Sequence, residues 1–263
     1  MSIPKTIHYC WFGNTKKPQL VLDCIATWRQ VLPDYQIIEW NETNVDLTPE
    51  FVAYAYNKKK WAFVSDYVRL DVLYKHGGVY LDTDMLFLKP IDDFLNYDLF
   101  FGAEEERFIN CAIVGSIEGH PFIKTCIESY DTMSLKNIEF NKITIPKILT
   151  SNFRDFYQFH GKFKNVLKMD GVVVCPKDYF YPYSYEDAET NTDYMSYVKP
   201  DTYAVHLWHK SWVEYSEFYY LKKRFYYKGF LTAFNNLWCG KETLNKQYLK
   251  MLGYSMKQSI KRS

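Results

Sequence analysis

The sequence predicts an α/β layered fold with parallel strands, closed by a helical C-terminal extension. Two observations carry this. The first forty residues alternate strand, helix and strand signals. "IPKTIHYCWFG" (3–13) is an apolar run ending at Gly13, "PQLVLDCIATWRQVL" (18–32) has helical spacing, and "YQIIEW" (35–40) is a second strand. A β-α-β opening of this kind joins parallel strands. The second observation is a change of character near Glu217, after which the chain reads as helical, aromatic and basic.

Each element follows from local chemistry. In 18–32, Leu20, Cys24, Thr27, Trp28 and Val31 fall on one face, with Pro18 near the start and Pro33 beyond the end. "AFVSDYVRLDVLYKHGG" (62–78) is a helix stopped by Gly77 and Gly78, where glycine accepts a left-handed cap. "VYLDTD" (79–84) follows as a strand, as do "DLFFGAE" (98–104) and "NCAIVGS" (110–116). Residues 120–133 and 145–156 have helical spacing, and 171–176 and 202–208 read as strands. The remainder from Glu217 reads as two helices. No repeat, low-complexity tract or linker interrupts the chain, so residues 1–215 form the α/β domain and 216–263 a helical basic extension of the same globular unit.

Composition bounds the function classes. The chain of 263 residues is 48% hydrophobic, enough for a core without disulfides. Its 24 Tyr and 19 Phe suit clefts for flat or sugar-like ligands as well as core. The six Cys form no C-x-x-C pair and no zinc spacing. No signal peptide or membrane span is evident, so a cytoplasmic setting is expected. Net charge is +1, but Val205–Ser263 holds eleven Lys/Arg against three Asp/Glu. That end suits the inner face of an anionic membrane, an anionic substrate, or simply a solvated helical face; nucleic acid is not an expected partner.

Asp82 and Asp84 sit inside an apolar run. On a strand, residues two apart share a side, so both carboxylates and Tyr80 face one way. Like charges this close need a compensating cation, and Mg²⁺ or Mn²⁺ prefers oxygen ligands. The plainer alternative is a turn with both aspartates in water. In the apolar 62–76 helix, Ser65, Asp66 and Arg69 form one polar stripe that needs partners. That stripe is either an internal i,i+3 ion pair or the wall of a polar cleft beside the aspartates. In "YAVHLWHKSW" (203–212), His206 ends an apolar stretch and is a candidate third metal ligand, or a structural histidine.

Together "IPKTIHYCWFG", "SDYVRLDVLYKHGGVYLDTD" and "YAVHLWHKSW" resemble glycosyltransferase family 32, whose members carry a DXD sugar-binding region, and the catalytic domains of large clostridial glucosylating toxins. The resemblance covers about 80 N-terminal residues and ten near His206. It implies a GT-A fold with a Rossmann-like mixed sheet flanked by helices, a nucleotide-sugar donor, UDP in the first instance, and a divalent metal, Mn²⁺ or Mg²⁺. By position it implies that Trp11 stacks on the base with Cys10 beside it, and that Ser65 lies near the nucleotide. Asp66 and Arg69 would grip sugar and phosphate, and Tyr80 would line the site. Asp82 would serve ribose and metal, Asp84 would bind the metal, and His206 would complete it. Ser211 and Trp212 would meet the diphosphate, and Asn110 the sugar or acceptor. Leu207 stands where the family pattern has a second histidine.

The resemblance further implies a retaining transfer to a glycan or lipid-linked oligosaccharide acceptor, as in capsular polysaccharide and lipopolysaccharide synthesis. The sequence marks no carboxylate as nucleophile, so attack from the leaving-group face is expected. Lys222, Lys223, Arg224 and Lys228 would meet lipid phosphates, with Phe225, Tyr226 and Phe230 at the interface. Two rival readings stand beside this one. "VYLDTDML" also resembles the haloacid-dehalogenase signature of phosphohydrolases, although about 80 residues precede it here. The tyrosines of 179–194 would also suit a non-catalytic carbohydrate-binding protein.

Overall fold

A computed structural model describes residues 2–136, 138, 140, 143–190, 193–209, 217–240 and 243–260. The chain divides into two compact units, Met1–His209 and Lys210–Ser263.

The first unit opens as the sequence predicts. Strand β1 (Thr6–Cys10), helix α1 (Gln19–Val31) and strand β2 (Gln36–Trp40) form a parallel crossover with Ile7 opposite Ile37. Val21, Cys24, Ile25 and Trp28 of α1 recur at helical spacing and are buried. Helices α2 (Glu50–Asn57) and α3 (Trp61–His76) follow, then β3 (Gly78–Leu81), β4 (Met85–Phe87), β5 (Leu99–Glu105) and β6 (Phe108–Ser116). Next come α4 (Pro121–Asp131), α5 (Ile145–Tyr157), β7 (Leu167–Met169), β8 (Val172–Cys175), α6 (Tyr185–Thr190) and β9 (Ala204–His206).

Seven strands form one sheet in the order β2-β1-β3-β6-β5-β8-β7. The sheet is mixed. β1 pairs parallel with β2 and β3, and β5 with β8, whereas β6 and β7 run antiparallel to their neighbours. A core lies on each face. Along β5, Leu99, Phe101 and Ala103 join one cluster with Val64, Leu70, Phe122 and Phe153, while Phe100 joins the other with Ile7, Trp28, Val79 and Phe180. This is the two-residue period of a strand buried on both sides. Phe100 lies over Gly115, its cross-strand partner, and a Cβ there would come within 1.9 Å of the ring.

Several expectations change. The strand drawn over 79–84 stops at Leu81, and Asp82–Asp84 belong to a turn closed by Met85 N–H donating to the Asp82 carbonyl at 3.1 Å. The strand drawn over 202–208 shrinks to three residues and pairs with β4, in a separate two-stranded sheet. Gly77 caps α3 at φ 62 and ψ −166, so it has positive φ but is not left-handed helical. Gly78 follows at φ 101, and a Cβ there would lie 2.6 Å from the Thr6 carbonyl oxygen. Glycine is therefore what lets β3 start directly against β1.

In the second unit, α7 (Glu217–Lys222), α8 (Tyr226–Trp238) and α9 (Lys246–Ile260) replace the expected two helices with three. Glu217 is buried and accepts hydrogen bonds from Tyr248 Oη at 2.5 Å and Asn236 Nδ2 at 3.0 Å. Tyr227, Phe230, Leu231, Phe234 and Trp238 are exposed along one stripe of α8, while Gly229 and Ala233 turn inward. Among the described residues no helix is long and apolar enough to cross a membrane. All six cysteines are free thiols, and Cys239 alone among them is exposed.

Candidate active site

The site forms where strands β1, β3 and β6 end or bend. β1 and β3 are parallel neighbours with His8 opposite Tyr80, so Cys10 and Trp11 leave the sheet beside Asp82. This is the carboxyl edge of parallel strands, where open α/β sheets bind ligands. Trp11 is half-buried, and its Nε1 donates to the Thr15 carbonyl at 2.7 Å. Cys10 is buried, which pushes its thiol up to about 12, against the opposing influence of Arg69, Tyr80 and Ser65. It is therefore a packing thiol rather than a nucleophile.

The polar stripe of α3 faces this edge. Asp66 and Arg69 are 6% and 4% exposed. Arg69 Nη2 donates to Asp66 Oδ1 at 2.9 Å and Nη1 to the Cys111 carbonyl at 2.7 Å; Nη1 also lies 3.1 Å from Asp82 Oδ1. The guanidinium sits 4.5 Å from the centre of the Tyr80 ring, whose hydroxyl donates to Asp82 Oδ1 at 3.2 Å. The two sequence alternatives for this stripe are thus both present: Arg69 makes the internal pair and also reaches the first aspartate. Burial pushes the Asp66 carboxyl up to about 7, with Arg69 pulling the other way and Asp82 adding to the rise. Ser65 is half-buried and donates to the Trp61 carbonyl within its own helix at 3.1 Å.

Asp84 and His206 face each other from segments 122 residues apart, with His206 Nε2 3.1 Å from Asp84 Oδ1. The β4–β9 ladder sets Met85 opposite His206 and so delivers both groups to one point. Asp84 Oδ2 also accepts the His209 backbone N–H at 2.6 Å. Burial works against both charges, yet each partner outweighs it: Asp84 is held below the usual carboxylate range and His206 above the usual imidazole range. One ligand atom from each of Asp82, Asp84 and His206 lies within 4.8 Å of the others. His206 Nδ1 is buried without a hydrogen-bond partner among the described residues. Two carboxylates and an imidazole suit Mn²⁺ or Mg²⁺, so these residues fit the cation expected from the sequence.

Strand β6 forms the floor. Asn110 Oδ1 accepts the Ala112 N–H at 2.7 Å, the Cys111 carbonyl holds Arg69, and the Ala112 carbonyl accepts the Asp82 N–H at 2.8 Å. Asn110 Nδ2 donates to Glu104 Oε2 at 2.5 Å. Burial raises the Glu104 carboxyl, against Asn110 and the charge of His206. Sequence reasoning missed Glu104, which closes the strand read over 98–104 and opens a run of three acids with nothing to set it apart. It also missed Tyr181, whose hydroxyl lies 3.4 Å from Asn110 Oδ1, and Trp208, whose ring centre is 4.1 Å from that of His206. Trp208 adopts φ 53 and ties its Nε1 to the Tyr183 carbonyl at 2.7 Å. Ser211 and Trp212 lie outside the described residues.

Comparison with known proteins points to the same segment. Residues 18–101 match the family model described as a glycosyltransferase sugar-binding region containing a DXD motif. The chain is 27% identical over 156 residues to inositol phosphoceramide mannosyltransferase 3 of Schizosaccharomyces pombe, covering 55% of this chain and 41% of that protein. It is 28% identical over 152 residues to lactosylceramide 4-alpha-galactosyltransferase of Rattus norvegicus, covering 56% and 41%. To the human alpha-1,4-N-acetylglucosaminyltransferase it is 26% identical over 187 residues, covering 68% and 50%. The chain thus spans half or less of the length of these relatives. Among solved structures it overlaps the PaToxG glycosyltransferase with a TM-score of 0.49 at 16% identity, covering 60% of this chain and 71% of that one. It overlaps the glycosyltransferase domain of the YGT toxin with 0.45 at 12%, covering 100% and 90%. The motif quoted from the sequence lies inside the family match: residues 18–101, which are similar to a glycosyltransferase sugar-binding region of the DXD type, contain Asp82-Thr83-Asp84.

Proposed function

We propose that the chain is a metal-dependent, retaining glycosyltransferase of GT-A type that moves a sugar from a nucleotide-sugar, UDP-linked in the first instance, to a glycan or lipid-linked acceptor in surface polysaccharide synthesis. One observation carries the reading: the DXD aspartates of the matched region meet a histidine from the far end of the domain, beside a buried arginine. Asp82, Asp84 and His206 would hold the cation, which when bound supplies Lewis-acid stabilisation of the departing diphosphate. Arg69 adds fixed positive charge at the same place, and its three anchors hold it there before substrate arrives. Trp11 offers a face for the base, and Asp66 and Asn110 orient sugar hydroxyls. Glu104, held by Asn110, adds a carboxylate on the sugar side that steadies positive charge at the anomeric carbon. Retention is read as attack from the leaving-group face.

Relatives named for ceramide acceptors support a lipid-linked acceptor. So does the second unit, with its exposed stripe on α8 and its basic Lys222, Lys223, Arg224 and Lys228. The reading sets the protein at the cytoplasmic face of a membrane through that unit. A donor-hydrolysis screen over UDP- and GDP-sugars with Mn²⁺ and Mg²⁺ tests the function. Turnover should need the cation and vanish in Asp84→Ala; turnover retained by that variant would refute the assignment. Flotation with vesicles containing anionic lipid tests the membrane contact, which Phe230→Ser/Phe234→Ser should weaken.

A further inference from the structure

A basic cavity of about 590 Å³ opens at the tip of the β5–β6 hairpin, against α5. Arg107, Lys147, Arg154 and Lys162 line it, and none of its lining residues is acidic. Helical spacing builds one wall: Lys147, Thr150, Ser151 and Arg154 recur three and four apart, while Leu149 and Phe153 turn into the core.

The wall is braced. Arg154 Nη1 donates to the Gly161 carbonyl at 3.2 Å and Nη2 to the Arg107 carbonyl at 3.2 Å. Thr150 Oγ1, in a buried residue, accepts the Ile109 N–H at 3.0 Å and pins α5 to β6. Carbonyl partners hold a guanidinium in place without cancelling its charge. Lys162 is drawn off by Glu106 at 2.9 Å, whereas Arg107, Lys147 and Arg154 make no ion pair among the described residues and carry the charge of the cavity.

A single carboxylate offsets one such charge, whereas a phosphate carries about 1.5–2 and matches guanidinium forks. The cavity shares β6 with the reacting site. Phe108 lines it, and Asn110 lies two residues on, roughly 7 Å along the strand. The donor diphosphate is accounted for by Arg69 and the cation site, so this cavity faces a different anion.

We propose that the hairpin-tip cavity binds a phosphate group carried by the acceptor, fixing the acceptor by its anion while its hydroxyl reaches the donor sugar beside Asn110. Assignment to the acceptor rests on the glycosyltransferase reading; the anion site itself does not.

Calorimetric titration of the full chain with inorganic pyrophosphate, in metal-free buffer, tests the site. One binding event is expected, weakened at least about tenfold in Arg107→Gln/Lys147→Gln, as the loss of two charge-assisted contacts requires. Mn²⁺-dependent UDP-sugar hydrolysis and the melting temperature of that variant should stay as in the parent. Absence of pyrophosphate binding, or equal binding by the variant, overturns the proposal. Vesicles of phosphatidic acid in phosphatidylcholine, offered to chains that also carry Phe230→Ser/Phe234→Ser so that α8 does not hold them, then locate the source. Vesicle binding that falls in the variant assigns the phosphate to a lipid-linked acceptor, and pyrophosphate binding lost with vesicle binding intact assigns it to a soluble phosphorylated glycan. Pyrophosphate bound without any donor turnover sinks the transferase reading alone; turnover without pyrophosphate sinks the anion site alone.

Discussion

Replacing Arg69 with Met isolates the charge at the centre of the cleft. Arg69 touches Asp66, Asp82, the Cys111 carbonyl and the Tyr80 ring, and its Nε donates to the Ser65 carbonyl at 3.2 Å. Summing such contacts at about 1.5–3 kcal/mol each would overshoot, because they share one guanidinium. The better bound is the cost of breaking a buried pair, about 3–5 kcal/mol, set by the charge left behind on Asp66. Against a total stability of about 5–15 kcal/mol this is a large share.

The sign with pH follows. Burial already pushes Asp66 up to about 7 with Arg69 present, and without Arg69 it must rise further. Below that value the carboxyl takes a proton and the orphan charge disappears, so the loss should be smaller in mild acid and grow as pH rises. Asp66→Asn in the same background should recover about 1–3 kcal/mol of it. Urea unfolding followed by tryptophan fluorescence, in mild acid and in mild base, measures all four corners of the cycle. A loss under about 1 kcal/mol in base, or a double variant no more stable than Arg69→Met, would show that Asp66 is not held by this pair.

Three further outcomes are expected. His8 is fully buried, with Nε2 donating to the Gly77 carbonyl and Nδ1 accepting from Trp40 Nε1, and burial lowers its pKa to about 4. Stability tied to His8 is full above its unfolded value near 6.5 and is lost as pH falls through about 4, by at most about 3 kcal/mol; His8→Phe should flatten that slope, and matching slopes would exclude it. Gly115→Ala drives a methyl into the Phe100 ring and should cost about 2–3 kcal/mol in thermal or urea unfolding, partly recovered by Phe100→Leu. Glu104→Gln keeps an acceptor for Asn110 but removes the charge, so kcat should fall on the order of 10²-fold with donor KM little changed; an unaltered kcat would make Glu104 purely structural.

The β1-α1-β2 opening was legible because its strands and helix are long enough to show their period, and prolines flank the helix. β4 and β7 were not, since three residues carry no period to read. α7, at six residues, merged with α8 for the same reason. Asp66, Arg69, Asp82 and Asp84 stood out as charges interrupting apolar runs; His206 stood out as a histidine closing an apolar stretch, with a structural role left open until the resemblance was added. The pairing of the aspartates was anticipated, but its cause differs: a turn after Leu81, rather than the strand pleat, brings them together. Glu104 escaped notice because its neighbours Glu105 and Glu106 are exposed, and only tertiary packing decides which of three consecutive acids turns inward. Tyr181 stood only among the tyrosines of 179–194 in the carbohydrate-binding alternative, and Trp208 looked like one more aromatic in an aromatic-rich chain.

The three-rung ladder between β4 and β9 has a kinetic consequence. Leu207 N–H donates to the Asp84 carbonyl at 3.0 Å, and Trp28 Nε1 clamps the Met85 carbonyl at 2.6 Å from the opposite side. Prising β9 loose therefore breaks the acid–imidazole contact in the same stroke. If the pocket holds the cation proposed above, amide exchange at Leu207 and release of that ion should share one opening rate.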